Sequence, residues 1–197
     1  MTSIVGVLCS DGIVIGTDSS ATFATADGHT GTIEQYTEKI HIASGKVIVA
    51  GTGAVGLSQR FNVVVDTAWT DGRFDNIPTE VGKALSAAMI KDLTATSAPR
   101  GQYGALVAFP CRRTAQLCEF AVADCQPELK TPQTAWYCSM GSAQRITDPF
   151  LGLIRDVFWT KGPPTTARGN LRRDLDASTS NRSKHGWCQG ADPDRRA

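Results

Sequence analysis

"TSIVGVLCSDGIVIGTDSSAT", residues 2–22, sets an apolar run on either side of an Asp-Gly pair and closes on small hydroxyl residues. "SIVGVL" and "GIVIGT" are rich in β-branched side chains, and Asp11-Gly12 between them is a strong turn signal, so the stretch predicts a β-hairpin opening the chain. Met1 stands before a small residue, the setting in which the initiator methionine is commonly removed, and its removal would leave Thr2 with a hydroxyl and a free α-amine. A threonine hydroxyl is a weak nucleophile alone, but an α-amine with a pKa of roughly 7.7–8.0 accepts its proton near neutral pH. The plain alternative is that Met-Thr is simply a common start.

Working outward, the 197 residues suit one domain, and 41% apolar with 20% charged residues suits a globular core. Lys plus Arg number 20 against 19 for Asp plus Glu, so no global field draws nucleic acid or an anionic membrane. No apolar run reaches the roughly 18 residues of a membrane span, and the first residues lack a basic flank and cleavage site, so the expectation is a cytoplasmic protein. Cys9, Cys111, Cys118, Cys125, Cys138 and Cys188 form no C-x-x-C, and His29, His41 and His185 are far apart. Buried free thiols are expected, with no metal and no cofactor.

After a small-residue loop through Gly31, "YTEKIHIA" and "KVIVAGTG" flank "SGK", and Ile40, Ile42, Val47 and Val49 have the period of half-buried strands. The period then becomes helical: Leu57, Phe61, Val64, Val65 and Ala68 share a face that ends at Asp71-Gly72. Pro78-Thr79-Glu80 opens a second helix with Val81, Leu85, Ala88, Met89 and Leu93 inward. "YGALVAF", "AQLCEFAVA" and "TAWYCSMG" read as strands. Asp148-Pro149 predicts a third helix with Phe150, Leu153, Ile154, Val157 and Phe158 on its buried side, broken by "KGPPTT". Hairpins, a helix pair, more strands and a further helix predict a layered α+β domain.

The order of these features resembles the β-type subunits of the proteasome family, N-terminal nucleophile hydrolases that include a bacterial protease partnered by an unfoldase ring. Residues 2–22 look like the family opening, in which a catalytic threonine heads a strand and an acidic residue follows the second strand, at Thr2 and Asp18. "TEKIHI" resembles the lysine-bearing strand and places Lys39 at the catalytic lysine. "VIVAGTGAVG" resembles the strand-to-helix turn whose glycine amide is the oxyanion donor, at Gly51. "CSMGSAQ" resembles the Gly-Ser-Gly turn before a helix, with Ser142 at the serine and Ala143 where a glycine is usual. The likeness runs over roughly residues 2–165.

The resemblance implies an αββα sandwich and a threonine endopeptidase acting on unfolded polypeptide or peptide from within a homo-oligomeric ring, with an ATP-dependent unfoldase as partner. Lys39, paired to Asp18, would supply positive charge beside the hydroxyl, and Ser142 would hold the amine. Singly, each residue has a structural reading: Asp18 as a turn cap, Lys39 as a solvated strand residue, Gly51 in a tight turn, Ser142 at a helix start. The family also contains scaffold or gate subunits without an active threonine, and related folds hydrolyse small amides.

The domain is expected over residues 1–166, and "ARGNLRRDLDASTSNRSKHGWCQGADPDRRA", residues 167–197, is polar, aperiodic and expected to be poorly ordered. The likeness stops where family members continue with a helix and closing strands. Trp187-Cys188 can be encoded only by TGG TG(T/C), and one base later this reads GGT, glycine. The neighbouring codons permit "NTGGVKGPIRIAV", and "NLRRDL" permits "IFAVTW", so the segment reads as a shifted-frame version of a Gly-Gly turn and an apolar strand.

Overall fold

In a computed structural model of the chain, residues 2–24, 30–33, 37–96, 103–112 and 114–166 are described. The expected tail, residues 167–197, and with it Cys188 and His185, lies outside them, as do Met1 and His29.

β1 (Ile4–Leu8) and β2 (Ile13–Thr17) form the predicted hairpin, closed by Cys9 N–H donating to the Gly12 carbonyl at 2.8 Å. A further pair, β3 (Ala21–Ala24) and β4 (Thr30–Ile33), stands where a loop was expected, in a threonine- and glycine-rich stretch with no alternation to announce it. β5 (Ile40–Ala43) and β6 (Val47–Gly53) pair next, followed by α1 (Val55–Thr70), a short 3-10 turn and α2 (Pro78–Ala95). β7 (Tyr103–Cys111), β8 (Thr114–Phe120), β9 (Pro127–Lys130), β10 (Tyr137–Met140) and α3 (Gln144–Phe158) complete the order. β9, in "PELK", has too few apolar residues to be read from pattern.

Two antiparallel sheets are stacked, one ordered β10-β1-β2 and the other β5-β6-β7-β8-β9. β7 shows how one strand serves two cores: Ala105, Val107 and Phe109 face the α1–α2 layer while Leu106 and Ala108 face the other sheet. β6 does likewise, Val47 and Val49 toward the helices and Ile48 and Ala50 toward the sheet, so it is covered on both faces rather than half-buried. Ile42, expected inward, is exposed. Gly6 permits the sheets to approach closely, since a Cβ there would stand 2.9 Å from Leu106 Cδ1. Phe61 packs between Tyr103 and Phe120, and Trp136 packs against Trp159 with the rings tilted, centroids 5.2 Å apart, where α3 ends. With α3 against β10, the layers are helix, sheet, sheet, helix.

α1 and α2 follow the sequence closely, burying Leu57, Phe61, Val65 and Ala68, and Val81, Leu85, Met89 and Leu93; Ala88 is exposed, and Gly82 and Ser86 are buried instead. α3 departs from expectation. It starts at Gln144, four residues before Asp148, because Ile146 and Thr147 N–H both donate to the Ala143 carbonyl while Asp148 is engaged by Ser139. Pro149 lies inside the helix, and the inward residues are Leu151 and Ile154, leaving Phe150, Leu153, Val157 and Phe158 exposed.

Candidate active site

Thr2 sits just ahead of β1, and the β1–β10 register, Ile4 opposite Met140, carries the chain after β10 back alongside it. Gly141 makes that approach possible. Its φ of +92° is left-handed, and a Cβ there would stand 2.3 Å from the Thr2 carbonyl oxygen. Thr2 N then donates to Ser142 Oγ at 3.0 Å, and Ala143 N–H donates to the Thr2 carbonyl at 3.3 Å. Ser142 is exposed and Thr2 half-buried, so a ligand can reach both.

On the other side, Ser3 N–H donates to Asp18 Oδ1 at 2.7 Å and Asp18 N–H returns a bond to the Ser3 carbonyl at 3.0 Å. Ser20 N–H donates to Asp18 Oδ2 at 3.1 Å, and Lys39 Nζ to Asp18 Oδ1 at 2.9 Å. The lysine side chain keeps 10% of its exposure and the aspartate 24%, so the ion pair is largely withdrawn from water. Burial works against ionising Asp18, but the bonds from Ser3 and Lys39 and the lysine charge outweigh it and hold its carboxyl below the usual range.

Two hydrogen-bonded pairs, Thr2–Ser142 and Lys39–Asp18, are thus joined through Ser3, the chain neighbour of Thr2, whose N–H donates to Asp18. Gly51 is related differently. It lies inside β6, opposite Ala105 on β7, and not in the turn expected for it. The β5–β6 register, Ile40 opposite Ala50, brings Lys39 alongside Gly51. The reason for glycine there is visible: a Cβ would meet Tyr103 Oη at 2.4 Å. Burial pushes the Tyr103 phenol well above its ordinary pKa, so it stays protonated beneath the strand.

A polar network missed in the sequence braces the turn that carries Ser142. Ser139 on β10, 1% exposed, donates to Asp148 Oδ1 at 2.5 Å and accepts from Thr147 Oγ1 at 2.7 Å. Gln144 Nε2 donates to Asp148 Oδ2 at 3.1 Å. The only available signal was a serine inside a strand otherwise made of Tyr137, Cys138 and Met140. Among the described residues no group of three or more His, Cys, Asp or Glu is placed to hold a metal.

No protein-family model matches the chain, and no curated protein matches it by sequence. Solved structures do. It is similar to the eukaryotic HslV from Trypanosoma brucei, with a TM-score of 0.56 and 15% identity over 79% of this chain and 80% of that one. It is also similar to Anbu (ancestral beta-subunit) from Yersinia bercovieri, with a TM-score of 0.54 and 16% identity over 72% of this chain and 61% of that one. The likeness is one of fold: the chain has the proteasome β-type, N-terminal nucleophile hydrolase fold.

Proposed function

We propose that the chain is a threonine endopeptidase subunit of a proteasome-like ring, with Thr2 as nucleophile once Met1 is removed. The observation that carries this reading is the two-sided hold on Thr2: Ser142 Oγ on its nitrogen, and Asp18 on the neighbouring Ser3 N–H and on Lys39. After Met1 removal that nitrogen is an amine, still within reach of Ser142, with a pKa near the working pH. The amine takes the Thr2 hydroxyl proton, and the oxygen attacks the scissile carbonyl. The Lys39 ammonium, 2.9 Å from Asp18 Oδ1, lowers the cost of negative charge developing beside it. The Gly51 N–H is the proposed oxyanion donor, a contribution of about 3 kcal/mol. The tetrahedral species collapses to an ester on Thr2, the leaving amine receives the proton held by the α-amine, and water then cleaves the ester.

The substrate class is unfolded polypeptide or peptide. A closed ring with an ATP-dependent unfoldase partner follows from the resemblance, and the cytoplasmic location is the expectation drawn from the sequence. No helix among the described residues is long and apolar enough to cross a membrane. A small-amide hydrolase would use the same Thr2 chemistry with a different pocket.

Intact mass spectrometry combined with a threonine-directed electrophile and a fluorogenic peptide tests the reading. The expected result is loss of Met1, labelling at Thr2 and turnover that falls at least about 1,000-fold in Thr2→Ala. Turnover by a chain that keeps Met1, or near-normal turnover in Thr2→Ala, would overturn it. Folded chain with Met1 retained and no labelling identifies a scaffold or gate subunit instead.

A further inference from the structure

The fully buried aromatic side chains of the helix-facing core are Phe61, Phe74, Phe109 and Phe120, with one departure, Tyr103 at the start of β7. Tyr103 is 2% exposed, and its Oη is buried with no hydrogen-bond partner. A buried hydroxyl left without a partner costs stability that a phenylalanine ring does not, so packing alone does not account for the oxygen. Ser58, on the first turn of α1, is close enough to act on the phenol but completes no hydrogen bond with it.

The place of Tyr103 in the fold gives the oxygen something to act on. Tyr103 stands opposite Gly53 in the β6–β7 register, and its ring reaches back across β6 to Gly51. A Cβ on Gly51 would lie 2.8 Å from Tyr103 Cε2 and 2.9 Å from Cζ, and nearer still to Oη, so the tip of the phenol rests on the Gly51 Cα. Phe61 backs the ring, with centroids 5.5 Å apart. Gly51 is half-exposed and open to a ligand, while the hydroxyl is shut off from water. An O–H bond held by no partner is free to turn, and where water is excluded its dipole acts on a neighbouring charge more strongly than in solution. Burial also pushes the phenol well above its ordinary pKa, so its hydrogen is retained at neutral pH.

We propose that the Tyr103 hydroxyl supplies a second dipole to the oxyanion site at Gly51, turning its hydrogen toward the negative charge that forms on the substrate oxygen beside the Gly51 N–H. The proposal rests on the reading of Thr2 as nucleophile and of the Gly51 N–H as oxyanion donor. Because the dipole has no partner until charge appears, it stabilises the transition state and not the bound peptide.

Tyr103→Phe, which keeps the ring and removes only the oxygen, tests this on the full-length chain. The expected result is a kcat for a fluorogenic peptide at least about tenfold lower with KM unchanged, and a melting temperature that stays the same or rises by about 2–4 °C. A peptide aldehyde, which places a tetrahedral oxygen at Gly51 once Thr2 adds to it, should bind the variant about tenfold more weakly, while the matching peptide alcohol binds both chains equally. Ser58→Ala should leave turnover unchanged. An unchanged kcat in Tyr103→Phe, an equal loss of aldehyde and alcohol binding, or a lower melting temperature would overturn the proposal, the last by showing that the hydroxyl holds the fold. So would a matching loss of turnover in Ser58→Ala, which would assign the hydroxyl to the α1 contact. Failure of the underlying reading shows in the unaltered chain instead, as an aldehyde that leaves Thr2 unmodified or turnover that survives Thr2→Ala, and it removes this proposal too.

Discussion

At the scale of single residues, Asp18 carries the clearest electrostatic consequence. Its carboxyl titrates below the ordinary value, so the folded state binds its proton less readily than the unfolded chain does. The stabilisation is fully present above the unfolded pKa of about 3.9 and is lost as pH falls through the lower folded value. The melting-temperature difference between the unaltered chain and Asp18→Asn should therefore be constant above about pH 5 and shrink toward zero below the ordinary carboxylate range. A difference that grows on acidification would contradict the Lys39–Asp18 account. Gly141 is the steric counterpart. Gly141→Ala forces a side chain into a φ of +92° and against the Thr2 carbonyl, which is backbone and cannot swing aside. The expected cost is about 2 kcal/mol or more, read by chemical denaturation, and turnover should fall with it because the turn holds Ser142. The cysteines make no comparable demand: burial pushes the Cys9, Cys118 and Cys138 thiols up to about 12, and these three should react with a thiol reagent only after unfolding.

At the scale of elements, α3 separates what periodicity predicts from what packing selects. A helical repeat of apolar residues was plain, but α3 has two apolar sets, and Leu151 and Ile154 are the pair turned inward. β10 lies on that inward side, and its Ser139 donates to Asp148 at the start of the helix. Pro149 removes one internal helix bond, a defect that ordinarily costs about 3 kcal/mol in a helix interior. Pro149→Ala should therefore raise the melting temperature, and a fall would show that the proline's ring contacts outweigh the missing bond. α1 and α2 are tied by Arg60, which donates to Asp92 Oδ2, to the Asp92 carbonyl and to Thr96 Oγ1.

At the scale of the whole molecule, stability rests on two cores divided by the five-stranded sheet. Phe61 is 1% exposed in the helix-facing core and Leu106 fully buried in the inter-sheet core. Phe61→Ala and Leu106→Ala should each cost about 3–5 kcal/mol, and their effects should add, because the residues occupy opposite faces of that sheet. The end of the described chain is fastened to the start of the fold: Thr166 N–H donates to Asp11 Oδ1 at 2.7 Å and Ser10 N–H donates to the Pro164 carbonyl at 2.9 Å. Resequencing the gene tests the shifted-frame reading of residues 167–197; stop codons one base later would refute it.

The sequence by itself determined the elements whose pattern is local. The β1–β2 hairpin is written in an Asp-Gly turn between β-branched runs, and α1 and α2 in one-sided apolar repeats, because turn chemistry and burial of a single stripe need no distant partner. It also supplied Thr2, Asp18, Lys39 and Ser142 as a set, though only through the order of motifs. Tertiary structure alone decided the rest. β6 is buried on both faces because sheet and helices close on it from opposite sides, and Gly51 is glycine because Tyr103, 52 positions along the chain, lies beneath it. The bonds from Ser142 to Thr2 join residues 140 apart. A long-range contact has no local period, so only the folded chain reveals which residues meet.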